Sequence, residues 1–211
     1  MKLLMGVSAS KRSLGVRKGI TVTKRLEDGK ACNIDIIGDS TKPKTEHILG
    51  LLKVNKIPDN LNLVIITSKE KKAKYEKAGY SKSLFIDKEI ESLPDKLYKI
   101  NRSINLNASV GEVTTVVIDV DGEMSNELYT FYENLSWFSV IHKVLLITTW
   151  NNMNQLPKFY KLSNSIKEMF LQRDTIAYNT KILNIGMNQM LLEVDGKRLP
   201  IIGVSEWIRM S

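Results

Sequence analysis

The sequence predicts an α/β protein with a mixed sheet, and three observations carry that prediction. At the N-terminus Leu3, Met5, Val7 and Ala9 alternate with Leu4, Gly6 and Ser8, the two-residue period of a strand. Further on, Leu63–Ile66 and Val144–Ile147 are short unbroken apolar runs, the pattern of strands covered on both faces. Between such runs lie stripes at helical spacing. Ile48, Leu51 and Leu52 form one, and Leu128, Phe131, Tyr132, Leu135 and Phe138 another.

Taken in order, residues 2–10, 18–25 and 31–38 read as three successive strands. Asp28-Gly29 supplies a turn between the second and third, because this pair tolerates positive φ, so an antiparallel meander is expected. A helix should start near Thr41 or Lys42, with Pro43 in its first turn, where a missing N–H is no loss. Beyond Pro58 comes the buried strand at 62–67, then a lysine-rich helix stopped at Gly79. A short strand at Ser83–Asp87 and a helix begun near Pro94 follow, then a strong strand at Val113–Val120. After the 128–138 stripe and the 144–147 run, Leu156, Phe159, Leu162, Ile166 and Phe170 are spaced as another helix. Residues 175–208 read as strands, with Asp195-Gly196 as a hairpin turn. Segments 33–67 and 115–149 share a strand–helix–strand plan with little identity. No linker separates the halves, and Asn105–Gly111 is the best internal boundary. The expected division is a domain over 1–140 and a C-terminal αβ extension over 141–211, on the same sheet or as a small subdomain.

Composition limits the class. A 43% hydrophobic content over 211 residues suffices for the core of one ordinary domain. There is no run of ~18 apolar residues to span a membrane. The stretch from Met1 to Arg12 is too short and interrupted for a signal peptide, and Cys32 alone cannot make an internal disulfide. A cytoplasmic protein is therefore expected. The wealth of Lys, Asn and Ile suggests an AT-rich bacterial or viral source, a phage or mobile element among them.

The net charge is +8, and two segments hold more than all of it. One contains Lys2, Lys11, Arg12, Arg17, Lys18, Lys24, Arg25 and Lys30 against Glu27 and Asp28. The other contains Lys69, Lys71, Lys72, Lys74, Lys77 and Lys82 against Glu70 and Glu76. On one face they would attract phosphates; as separate solvated faces they would only aid solubility.

Several chemistries lack their motifs. No Gly-Lys-Ser/Thr follows Gly6 or Gly15, so no phosphate loop is expected. There is no G-x-S-x-G elbow. His47, His142 and Cys32 have no partners at metal-ligand spacing.

The order of meander, helix and buried strand, with the pieces GVSAS, TKPKTEHILGLL and VIITSKE, resembles the ribonuclease H-like superfamily over roughly residues 1–75. It extends through the 113–119 strand and the 124–138 helix. That resemblance places Ser8 at the first aspartate position, Glu46 at the glutamate and Ser68 at the second aspartate. The family's reaction needs two metal ions held by carboxylates, and neutral hydroxyls are poor ligands for a hard cation. The resemblance therefore implies a dismantled site.

A second constellation is VVIDVDGEMSN, where Asp119, Asp121 and Glu123 alternate at a strand end and could converge. It resembles the first motif of haloacid-dehalogenase-type phosphatases, with Thr148 or Thr149 as their second. Glu123 stands where those enzymes carry Thr, and no downstream Asp pair for magnesium follows. The plain alternative is an Asp-Gly turn with carboxylates near a helix N-terminus. Residues 64–85 also look like the back half of a phosphorylation receiver, without its acidic pair. Tyr129, Phe131, Tyr132, Trp137 and Phe138 read as core rather than a base-stacking platform.

The expectation is thus a non-catalytic ribonuclease H-like protein without a cofactor, binding nucleic acid through Lys11, Arg12, Arg17, Lys18, Lys69, Lys71, Lys72 and Lys74. A protein partner is the rival, and a Mg2+-dependent phosphatase or nuclease centred on Asp119, Asp121 and Glu123 is the enzymatic alternative.

Overall fold

A computed structural model describes residues 2–8, 19–23, 32–88, 92–156, 166–170, 189–194 and 197–204. These form ten strands and four α-helices. In chain order they are β1 (Lys2–Ser8), β2 (Gly19–Thr23), β3 (Cys32–Ile37), α1 (Lys44–Val54), β4 (Leu63–Thr67), α2 (Lys69–Lys77) and β5 (Leu84–Asp87). Then come α3 (Leu93–Ser109), β6 (Thr114–Asp119), α4 (Asn126–His142), β7 (Val144–Trp150), β8 (Ile166–Phe170), β9 (Gln189–Val194) and β10 (Lys197–Gly203).

All ten strands lie in one sheet, in the order β2-β1-β10-β9-β8-β3-β7-β6-β4-β5. From β8 to β5 every neighbouring pair is parallel. From β2 to β8 every pair is antiparallel. The α/β class with a mixed sheet is as expected, but the ribonuclease H-like arrangement is not. β1 and β2 do pair antiparallel, yet β3 joins β7 and β8, four positions from β1 in the sheet. β4 pairs with β5 and β6 rather than with β1. Its partners follow from its composition: all five residues of LVIIT are buried, which suits a strand flanked and covered on both sides. The helix expected through Ile166 and Phe170 is also corrected, since these two residues bound β8.

The parallel strands are covered on both faces. Ile48, Leu51 and Leu52 of α1 and Tyr75 of α2 pack with Ile34, Ile36, Ile65, Val117 and Ile147 on one side. Leu93, Leu97, Ile100 and Ile104 of α3 and Leu128, Phe131, Tyr132 and Leu135 of α4 cover the other, against Val64, Ile66, Val116, Ile118 and Leu146. Burying each such large apolar side chain stabilises by about 1.5–3 kcal/mol. Gly79 ends α2 at φ +97, and the Tyr80 amide donates back to the Tyr75 carbonyl at 3.0 Å, which closes the last turn as its glycine predicts. β9 and β10 pair antiparallel, and the turn expected at Asp195-Gly196 lies outside the described residues. Among the described residues no helix is long and apolar enough to cross a membrane.

Candidate functional site

Side chains that carry chemistry gather outside the carboxyl ends of β3, β4, β6 and β7, the edge where open α/β sheets place their ligands. β3 leaves the sheet through the loop Gly38-Asp39-Ser40-Thr41-Lys42-Pro43 and enters α1 at Lys44-Thr45. The string is G-x-x-x-x-P-K-T, a phosphate-loop pattern with proline in place of its second glycine. The sequence reading sought Gly-Lys-Ser/Thr only after Gly6 and Gly15, and Pro43 hides this partial match.

Lys44 is buried. Its ammonium donates to the Gly38 carbonyl and to Asn151 Oδ1, both at 2.7 Å, so it ties the start of its own loop to the end of β7. Burial lowers its pKa, and the nearby Lys71 ammonium adds to that, while Asp121, Asp119 and Asp39 oppose it. The loop is closed on itself. The amides of Lys42 and Lys44 donate to the carbonyls of Asp39 and Lys42, the Thr41 amide donates to Asp39 Oδ1, and Pro43 has no N–H. The hydroxyl and amide of Thr41 also hold the Asp39 carboxyl below its usual range.

Asp119 ends β6 with no exposed surface, and β7 lies between its strand and β3. Val117 and Ile147 face α1 and α2, so two residues on, Asp119 faces them as well. Its carboxylate accepts from Thr45 Oγ1 at 2.7 Å, from the Tyr75 hydroxyl at 2.9 Å and from the Lys71 ammonium at 2.7 Å. Lys71 also reaches Asp121 Oδ1 at 2.9 Å. Burial alone would depress the Lys71 pKa, but the two carboxylates outweigh it and raise it. Burial, with the charge and hydrogen bond of Asp119 added, pushes Tyr75 well above the usual tyrosine range. Thr67 Oγ1 donates to the Asp119 carbonyl at 2.8 Å and fixes the strand end. Thr149 Oγ1 accepts from the Val120 amide at 3.1 Å and holds the next residue.

The residues singled out from sequence are placed as follows. Ser8 ends β1, across the antiparallel half of the sheet from Ser68 and Glu46. Ser68 caps α2, its hydroxyl accepting from the Lys71 amide. Glu46 lies in the first turn of α1 and accepts from Lys74 at 2.9 Å. Asp119 and Asp121 share one ammonium, while Glu123 is exposed. Among the described residues no group of three or more His, Cys, Asp or Glu side chains is placed to hold a metal ion. Thr149 serves the Val120 backbone. Thr148 is buried, and its hydroxyl has no hydrogen-bond partner among the described residues. Lys11, Arg12, Arg17 and Lys18 fall outside the described residues. Four of the five α2 lysines, those singled out from sequence, each face a carboxylate: Lys69 meets Asp87 at 3.7 Å, Lys72 meets Glu76 at 3.4 Å, and Lys71 and Lys74 pair as above. Sequence reasoning missed Lys44, Thr45 and Tyr75. A Lys-Thr pair opening a helix directly after a buried strand was the available signal for the first two.

No protein-family model and no curated protein matches this chain. Solved structures do. EssC (ATPases 2 and 3) from Geobacillus thermodenitrificans superposes with a TM-score of 0.66 at 13% identity, covering 97% of this chain and 44% of that one. B204, the DNA-packaging ATPase from Sulfolobus turreted icosahedral virus, gives 0.54 at 16% identity over 80% of this chain and 96% of its own. The genome-packaging NTPase B204 of Sulfolobus turreted icosahedral virus 2, solved with ATP-gammaS, gives 0.53 at 14% identity, covering 83% and 98%. The chain thus spans less than half of the EssC structure and nearly all of B204. The fold is that of these ATPase domains. This overturns the ribonuclease H-like assignment, and with it the non-catalytic nucleic-acid-binding function and the absence of a cofactor inferred from that fold.

Proposed function

We propose that this chain is a nucleotide-binding domain of the P-loop ATPase class, with the nucleotide's phosphates seated at the N-terminus of α1. The supporting observation is one constellation: Lys44 and Thr45 open α1 at the end of the Gly38–Pro43 loop that follows β3, and the Thr45 hydroxyl sits 2.7 Å from the strand-end carboxylate of Asp119. A phosphate-loop Lys reaches β- and γ-phosphates, and its Ser/Thr and a strand-end Asp form the neighbouring polar pair. The residues fit a polyphosphate. The Lys44 ammonium already rests on two neutral oxygens, which a phosphate oxygen can replace. The helix start adds the positive end of the helix dipole.

The same residues support slow turnover. Hydrolysis needs a group to orient the attacking water, and the residue after Asp119 is the buried Val120, held by Thr149. With the loop amides engaged and one missing at Pro43, the phosphates gain fewer donors than a glycine-bearing loop gives. The chain would therefore bind a nucleoside triphosphate and hold it, using the bound state to set its shape or its contacts with a nucleic-acid or protein partner. Calorimetric titration with ATP tests this. Saturable binding by the wild type, weakened about tenfold or more in Lys44→Met through loss of a charge-assisted hydrogen bond, is the expected result. No saturable binding of ATP, ADP or GTP at millimolar concentration overturns the reading.

A further inference from the structure

Resting on the nucleotide-binding reading, we infer that the Lys71 ammonium takes the place of the divalent cation, so that this site binds nucleotide without Mg2+. In phosphate-loop enzymes Mg2+ sits between the Ser/Thr hydroxyl, the strand-end Asp and the phosphates. Here that Asp has no room for it. Asp119 Oδ2 already accepts from Thr45 and Tyr75, and Oδ1 accepts from Lys71. The second carboxylate at the strand end, Asp121, is taken by the same ammonium. A hard cation with near-octahedral demands would have to displace a buried ion pair and at least one buried hydroxyl.

The sequence builds this arrangement locally. Ser68 caps α2 at the end of β4, beside β6, and starts the helix so that Lys71 lies in its first turn. One turn later Tyr75 reaches the same carboxylate, since residues four apart share a helix face. Lys71 is thus aimed at Asp119 by the helix that also supplies Tyr75. Its side chain is only 12% exposed, against 46% for Lys72 and 54% for Lys74. Its charge lies close enough to Lys44 to lower that residue's pKa. Two ammoniums therefore flank the start of α1. Lys44 and Lys71 together would face the phosphate oxygens, one from the loop helix and one from the position a metal ion would hold.

The test is titration of the fluorescent analogue mant-ATP into the full chain, in excess MgCl2 and in excess EDTA. The wild-type Kd should differ less than about threefold between the two, whereas Lys71→Met, with Asp119 freed for a metal, should bind at least about tenfold more tightly with Mg2+ than with EDTA. A wild-type protein that loses tenfold or more in EDTA overturns the inference and leaves the nucleotide reading standing. Equal indifference to Mg2+ in Lys71→Met also overturns it, because something other than Lys71 would then be filling the cation's role. No saturable signal from the wild type in either buffer overturns both. Should Lys71→Met not fold, the paramagnetic resonance of Mn2+ decides on the wild type alone. Mn2+ left free in the presence of protein and ATP beyond what ATP itself chelates supports the inference. One tightly bound Mn2+ per protein–ATP complex overturns it.

Discussion

Replacing Lys71 with methionine keeps most of the side chain's volume and removes its charge. Asp119 has no exposed surface, and the Lys71 side chain keeps a small exposed fraction. Removing one partner of a buried ion pair costs about 3–5 kcal/mol, since the remaining charge stays buried and uncompensated. Two features place the loss near the low end. Thr45 and Tyr75 still donate to the orphaned carboxylate, each bond to a charged group being worth about 1.5–3 kcal/mol. The second contact of Lys71 is to Asp121, whose side chain is 55% exposed and returns to water freely. The expected destabilisation is about 3 kcal/mol, a large share of the ~5–15 kcal/mol that holds a domain together. In urea, followed by tryptophan fluorescence, this is a midpoint lowered by about 1 M or more. Asp119→Asn on top of Lys71→Met should restore part of the loss, with a coupling of about 1.5–3 kcal/mol. A single-mutant loss under about 0.5 kcal/mol, the size of an ordinary surface change, would refute the account of Lys71 as a buried counter-charge.

Three further outcomes follow from the same geometry. Pro43→Gly restores an amide at the phosphate loop and should tighten ATP binding about tenfold, the worth of one hydrogen bond to a charged acceptor; unchanged affinity in calorimetry would contradict the placement of phosphate there. Tyr75→Phe should lose about 1.5–2 kcal/mol in urea by removing a buried donor to Asp119. Since the folded-state pKa of Tyr75 lies above the ordinary tyrosine value of 10.0, its contribution is intact below pH 10.0 and falls as pH rises toward the folded value, so the wild type should lose stability more steeply than Tyr75→Phe above that pH. Asp59 accepts from the amides of Ser81, Lys82 and Ser83; burial would raise its pKa, but these bonds and the Ser83 hydroxyl lower it on balance. Its stabilisation is therefore present above the ordinary aspartate value of 3.8 and lost on acidification below it, and Asp59→Asn should flatten the acid limb of a stability–pH curve.

Much of the local structure was legible in the sequence, and the long-range pairing was not. The apolar runs at 63–66 and 144–147 became β4 and β7, and Gly79 stopped α2 where its permissive φ suggested. The stripe over 128–138 became α4. The partners of β3 were misjudged because a following strand after an Asp-Gly pair reads as a hairpin partner. Yet all six residues of CNIDII are buried, and Ile36-Ile37 breaks the alternation of a half-exposed strand. That is the signature of a central parallel strand. The stripe from Leu156 to Phe170 carried helical spacing, yet its last two members bound β8, whose pairing with β3 and β9 is a long-range contact that no local period states. Asp119 was recognised as special, but its partners lie 48 and 74 positions away in sequence, and no local pattern states such contacts. The partial phosphate-loop pattern over Gly38–Thr45 escaped because Pro43 stands at the glycine by which that motif is found.

The most direct test of the central claim is to watch the loop amides themselves. In a two-dimensional amide NMR spectrum of the labelled protein titrated with ATP, the account predicts saturable shifts concentrated between Gly38 and Glu46 and at Lys71. β1, β2 and α3 should stay unchanged. Shifts absent from the Gly38–Glu46 segment at saturating ATP, or confined to another part of the sheet, would contradict it.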